Sequence, residues 1–100
     1  MTARPVVWRP QARDDLIALY DWIARRADPD TAFAYTAKIE GWAQRLAEFP
    51  DRGTPRNDLV EGLRTMPYKR RVTIAYRILP DCVEVMRLIQ SGQDWDALFD

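Results

Sequence analysis

Six cations crowd the later part of this chain: Arg64, Lys69, Arg70, Arg71, Arg77 and Arg87. Between Glu61 and Gln90 the only acids are Glu61, Asp81 and Glu84. Nearly all the cationic charge of the protein is arginine, since Lys38 and Lys69 are its only lysines. Arginine carries a planar fork of donors that suits carboxylates, phosphates and aromatic faces. A cluster of this kind reads either as an ordinary solvated sheet face or as a docking surface for something acidic: RNA, DNA or an acidic protein segment.

Other chemistry is thinly represented. The chain has no histidine, the usual proton carrier near neutral pH. Ser91 and the lone Cys82 therefore lack an activating imidazole. With no histidine and one cysteine, zinc and iron sites are not expected, and the sequence calls for no cofactor. The adjacent Asp14 and Asp15 point different ways on a helix, and Asp94 and Asp96 sit in a tail, so these acids read as solvated. Glycine is scarce and no glycine-rich loop precedes a helix, which argues against a phosphate cradle.

The elements that must carry the cations follow from periodicity. Pro5 to Trp8 is β-favouring, and Arg9-Pro10 closes it and opens a helix. Ala12, Leu16, Leu19, Tyr20, Ile23, Ala24 and Ala27 form one stripe of a helix over Gln11 to Ala27. Ile17 and Trp22 fall away from the centre of that stripe, as part of a broad buried face or as a surface that a partner covers. Asp28-Pro29-Asp30 caps a second helix, expected from Pro29 to about Glu48 and antiparallel to the first. Gly41 lies inside it, where close approach of another element would explain a poor helix former. Phe49-Pro50 ends the helix, and Asp51 to Asn57 is a loop.

Strands come last. Arg64 to Tyr68 is a short candidate, expected to be irregular at Pro67. Arg71 to Leu79 alternates: Val72, Ile74, Tyr76 and Ile78 on one face; Arg71, Thr73, Ala75 and Arg77 on the other. Pro80-Asp81 turns the chain into a return strand over Cys82 to Ile89. Parity there groups Arg87 with Val83 and Val85, beside an acid near the sheet edge, and groups Leu88 with Glu84 and Met86. The helices need the apolar face, so Arg71 and Arg77 should point away from them. Asp94 to Phe99 is a tail with room for one helical turn. The expected fold is α+β, β-α-α-β-β with a further strand possible, as one domain over residues 1–100.

Composition bounds the setting. A chain of 100 residues with 47% hydrophobic residues supports one real core. Fifteen Lys plus Arg balance fifteen Asp plus Glu, so the chain is no simple polycation. One thiol, no signal-like start and no apolar run of membrane length make the cytoplasm the expected location.

Several segments together resemble the ParE-type toxins of the RelE/ParE superfamily. They are Val7-Trp8-Arg9-Pro10-Gln11-Ala12 with Asp15-Leu16, then Tyr20-Asp21-Trp22-Ile23-Ala24. Phe49-Pro50 follows with Gly53, Arg56, Asp58-Leu59 and Gly62-Leu63-Arg64. Tyr76-Arg77, Val83-Glu84-Val85 with Arg87, and Gly92-Gln93-Asp94-Trp95 complete the set. The resemblance spans nearly the whole chain and implies a helical hairpin packed on a curled antiparallel sheet. It also implies a toxin of a type II toxin–antitoxin system that inhibits DNA gyrase by binding. A ParD-like ribbon-helix-helix antitoxin would neutralise it in a hetero-oligomer, and operator DNA would be met only through that antitoxin. The superfamily's RelE-type members instead cleave mRNA on the ribosome, using sheet cations with a late Arg and a carboxy-terminal Tyr. Here Gln93 or a neighbour stands in place of the Arg, and the tail carries Trp95 and Phe99 but no Tyr. The expected target-binding residues are Arg64, Arg70, Arg71, Arg77, Trp95 and Phe99, and the expected antitoxin-binding residues are Ile17 and Trp22. No residue is expected to be catalytic. The alternatives are a RelE-like endonuclease relying on Arg64, Lys69, Arg71 and Arg77, or a non-toxic corepressor partner of the antitoxin.

Overall fold

The computed structural model describes residues 4–99. Strand β1 (Val6–Trp8) leads into helix α1 (Pro10–Arg26), with Pro10 at the first helical position. Arg25 and Arg26 occupy the last turn, where the helix dipole favours cations. Helix α2 (Pro29–Gln44) begins at Asp28, whose carboxylate accepts from the Thr31 amide at 2.7 Å and the Thr31 hydroxyl at 3.0 Å. Those two bonds, the backbone one first, hold the Asp28 carboxyl below its usual pKa. Helix α2 stops sooner than its periodicity suggests. Past Gln44 the chain tightens into two 3₁₀ turns, Arg45–Ala47 and Pro50–Arg52.

Strand β2 (Thr54–Pro55) is a two-residue edge that the sequence does not announce. Strands β3 (Leu63–Tyr68), β4 (Val72–Ile78) and β5 (Val83–Gln90) follow, then a single helical turn α3 (Trp95–Leu98). The sheet order is β1-β5-β4-β3-β2. Neighbours are antiparallel except β1, which runs parallel to β5 and makes the sheet mixed. Pro67 does not interrupt β3. It pairs with Thr73, beyond the two residues that β2 engages, so β3 is an edge strand there and tolerates a missing N–H.

The helical hairpin packs on one face of the sheet. Leu16 and Leu19 of α1 and Ile39 and Ala43 of α2 meet Ile74, Tyr76, Val83, Val85 and Leu88 in the main core. The opposite face is not bare. Leu63, Ala75 and Ile89 are buried there beneath Leu59, Val60, Met86, Trp95, Leu98 and Phe99.

A bulge reassigns β5. Ala75 pairs with Arg87 but Tyr76 pairs with Val85, so Met86 is the extra residue. Strict alternation groups Leu88 with Met86. The bulge instead sends Leu88 into the main core and leaves Met86 against the second cluster. Gly41 also departs from expectation. A methyl group there would meet nothing within 4 Å, and nothing in the structure explains the glycine. Close approach occurs at Gly53, where an added Cβ would collide with the Tyr76 ring.

Candidate binding groove

The arginines carried by the strands are already engaged. Arg64 donates from Nη1 to the carbonyls of Gly53 (3.0 Å) and Asp51 (3.2 Å). It braces a loop also pinned by Tyr76, which is fully buried. The Tyr76 hydroxyl donates to the Pro50 carbonyl at 2.6 Å and accepts from the Gly53 amide at 2.9 Å. Burial raises the pKa of this phenol. Arg77 donates from Nε to Glu84 at 2.9 Å, and Arg9 approaches the same carboxylate at 3.7 Å.

Arg87 is the most deeply committed cation. Its Nε and Nη2 bind the two oxygens of Asp15 at 2.8 and 2.9 Å, a bidentate pair joining α1 to β5. Its Nη1 donates to the Leu98 carbonyl at 3.3 Å, which ties in the tail. Asp15 also accepts from the Leu88 amide at 3.0 Å. The bond to Asp15 raises the already high pKa of the guanidinium. The expectation that Arg87 meets an acid holds. The expectation that Asp15 is a solvated acid does not, because 17% of its side chain is exposed and its oxygens are taken.

The two arginines expected on the outward strand face fare differently. Arg77 lies on a strand face turned from the helices, yet it is half-buried and paired rather than free. Arg71 is not on that strand at all. It belongs to the β3–β4 turn with Lys69 and Arg70. All three turn cations are exposed, and among the described residues none forms an ion pair with a carboxylate. Lys69 has φ 54°, in the left-handed region that glycine enters without penalty. Its ammonium lies 5.6 Å from the centre of the Tyr68 ring.

That turn forms one lip of a groove of about 590 Å³. The facing wall is the C-terminal half of α1, with Leu19, Trp22, Ile23 and Arg26. Thr31 and Tyr35 of α2, Val72 of β4, Gln90 at the end of β5 and Ser91 just beyond it complete the lining. Arg26 stacks over Trp22, with Cζ 4.3 Å from the ring centre. The Tyr35 hydroxyl is buried without a hydrogen-bond partner, and its burial raises the phenol pKa. Tyr35 packs edge-on against Tyr68 at 5.8 Å.

The structure thus divides the sequence-derived sites differently. Arg70, Arg71 and Trp22 share this groove. Ile17 does not: it is 59% exposed beside a smaller hollow of about 180 Å³ formed with Leu16, Tyr20 and Thr36. Trp95 and Phe99 are half-buried in the second cluster. Arg56 stacks 5.0 Å over Trp95 while holding Asp58 in a bidentate pair at 2.9 and 3.0 Å. Gln93 accepts from the Gln90 amide at 2.6 Å and so finishes β5. Missing from the sequence-derived set are Arg26, Tyr35 and Gln90. The four-residue spacing of Trp22 and Arg26 on one helix was the available signal for the first.

The described residues contain no group of three His, Cys, Asp or Glu placed to hold a metal ion. They contain no helix long and apolar enough to cross a membrane. The elements define an α+β protein of the RelE/ParE type: a helical hairpin on a mixed five-stranded sheet, with a basic, partly apolar groove at one end. The family model described as ParE toxin of type II toxin–antitoxin system, parDE, matches residues 6–95, and the chain belongs to that family. Among solved structures, a chain of the chromosomal ParDE toxin–antitoxin system from P. aeruginosa shares the fold. It has a TM-score of 0.78 and 22% identity, covering 88% of this chain and 96% of that one. No curated protein sequence matches the chain.

Proposed function

We propose that this chain is the toxin component of a type II toxin–antitoxin system that arrests growth by binding DNA gyrase in the cytoplasm, with no reaction of its own. A cognate ParD-like antitoxin of the ribbon-helix-helix type neutralises it. Membership of the ParE family over residues 6–95 carries this reading. Binding is favoured over RNA cleavage by the state of the strand cations. Of the four cations on which a RelE-like nuclease would rely, Arg64 and Arg77 are spent on a loop and on Glu84, which leaves only Lys69 and Arg71 exposed. No histidine supplies a proton carrier. Purified protein at micromolar concentration should block gyrase supercoiling or trap cleaved DNA. Gyrase activity unchanged by the toxin, together with new mRNA ends in primer extension after induction, would replace this reading with the nuclease one.

A further inference from the structure

A seven-residue rhythm runs along the flank of α2 that meets β3. Aromatic rings stand at Tyr35, Trp42 and Phe49, and a cation follows each by three positions, at Lys38, Arg45 and Arg52. Seven residues are two helical turns, about 10.5 Å, so the members within α2 share one flank. The 3₁₀ turns carry the row on to Phe49 and Arg52. Arg45 lies over Trp42, with Cζ 4.9 Å from the ring centre, and Arg52 lies over Phe49 at 5.8 Å. Tyr68 of β3 meets Tyr35 and Trp42 edge-on at 5.8 and 6.2 Å, and through it Lys69 joins the row.

These cations are available. Lys38, Arg45, Arg52 and Lys69 are exposed, and among the described residues none of them forms an ion pair. The acids between Tyr35 and Arg52 are Glu40, Glu48 and Asp51. Glu40 lies 3.9 Å from Arg13 and Asp51 3.9 Å from Arg64, which leaves Glu48 against the row. Phe49 is 53% exposed. The Tyr35 hydroxyl and the Trp42 indole N–H are buried without partners, so no hydrogen bond holds either ring inward.

The shape of this surface selects among anionic partners. Neither the groove of about 590 Å³ nor the hollow of about 180 Å³ is lined by Lys38, Trp42, Arg45, Phe49 or Arg52. A protein partner anchors side chains in pockets, and this row offers ring faces and guanidinium planes instead. Cations that track a phosphate chain, with rings between them on which bases stack, suit a single strand of nucleic acid. A duplex hides its base faces from such rings. We infer that the α2 flank binds single-stranded nucleic acid, with phosphates on Lys38, Arg45, Arg52 and Lys69 and a base stacked on Phe49. The contact is one of binding alone, and it depends neither on gyrase nor on an antitoxin.

The test titrates the full-length protein with labelled oligothymidylate and oligouridylate of ~15 nucleotides, a duplex of the same length and a polyglutamate peptide. Both single strands should bind, with a slope of log K on log salt of about −3 for four neutralised phosphates. Chemical shifts of the Trp42 indole, Phe49 ring and Arg45 side chain should move on the unmodified protein. Arg45→Glu with Arg52→Glu should weaken binding at least about tenfold and bring the slope to about −1.5. Phe49→Ala should weaken it about fivefold with the slope unchanged. Arg70→Glu with Arg71→Glu should cost less than the Arg45 and Arg52 pair. A preference between the two strands names RNA or DNA as the source, and either supports the inference. Binding without salt dependence, shifts confined to the groove at Arg70 and Arg71, or tighter binding of the duplex or the peptide would overturn it.

Discussion

The strand arginines and the arginines of the β3–β4 turn lie close in sequence but are in opposite states. Arg64, Arg77 and Arg87 face acceptors that the fold itself provides, at 2.8–3.0 Å in their shortest bonds. Arg70 and Arg71 face solvent beside an open apolar slot. The difference teaches where charge is structural in this protein and where it is available. A guanidinium whose donors are matched by internal acceptors fixes loops and helices; one left over on a tight turn can meet another molecule. The same residue type does both, so counting arginines on a sheet says little until their partners are known.

Substitutions can break or sharpen this contrast. Arg87→Met should cost the most, about 3 kcal/mol in urea unfolding, because it leaves the largely buried Asp15 without its cation and frees the Leu98 carbonyl. A cost near zero would mean that the strand arginines are as dispensable as those of the turn. Trp95→Ala should cost about 2 kcal/mol, since the indole shields Leu63, Ala75 and Ile89. Loss of toxicity at unchanged melting temperature would instead move Trp95 to the binding side of the contrast. Tyr76→Phe should cost about 1.5 kcal/mol by unpairing Gly53 and Pro50. The folded-state pKa of Tyr76 lies above its unfolded value. Its contribution is therefore complete below pH ~10 and is lost as pH rises through the folded pKa. The variant should accordingly unfold with a shallower alkaline slope than the parent.

Smaller effects belong to the turn. Lys69→Gly should stabilise by about 1 kcal/mol, because the φ of 54° strains any residue with a Cβ. A stability gain accompanied by weaker partner binding would show that the turn keeps its third cation at a structural cost. Arg70→Glu with Arg71→Glu should change stability by less than ~0.5 kcal/mol, measured by thermal melting. A large loss there would place the turn arginines with Arg64 and Arg87 and erase the contrast.

Much of the fold is legible along the chain because it is written in local spacing. The stripe through Leu16, Leu19 and Ile23 makes α1, and Asp28-Pro29 starts α2. The alternation of Val72, Ile74 and Tyr76 makes β4 and its core face. The sheet cations and Trp22 stand out by type alone. The groove does not, because its walls come from α1, α2, the β3–β4 turn and the end of β5. Residues expected to serve different partners, Trp22 and the pair Arg70 and Arg71, meet there only when the hairpin closes over the sheet. Ile17, five positions from Trp22, lies on another surface.

The sequence by itself determined the element types, the antiparallel β4–β5 pair, the apolar face that the helices cover and the scarcity of proton-transfer chemistry. These depend on periods of 3.6 and 2 and on residue types, which are properties of neighbours in the chain. Only the tertiary structure decided which arginines are free. Asp15 finds Arg87 across 72 positions, and the bulge at Met86 resets the parity of everything after it. Pairing at that range depends on how layers pack and on a single unpaired residue in a ladder, and neither leaves a periodic trace.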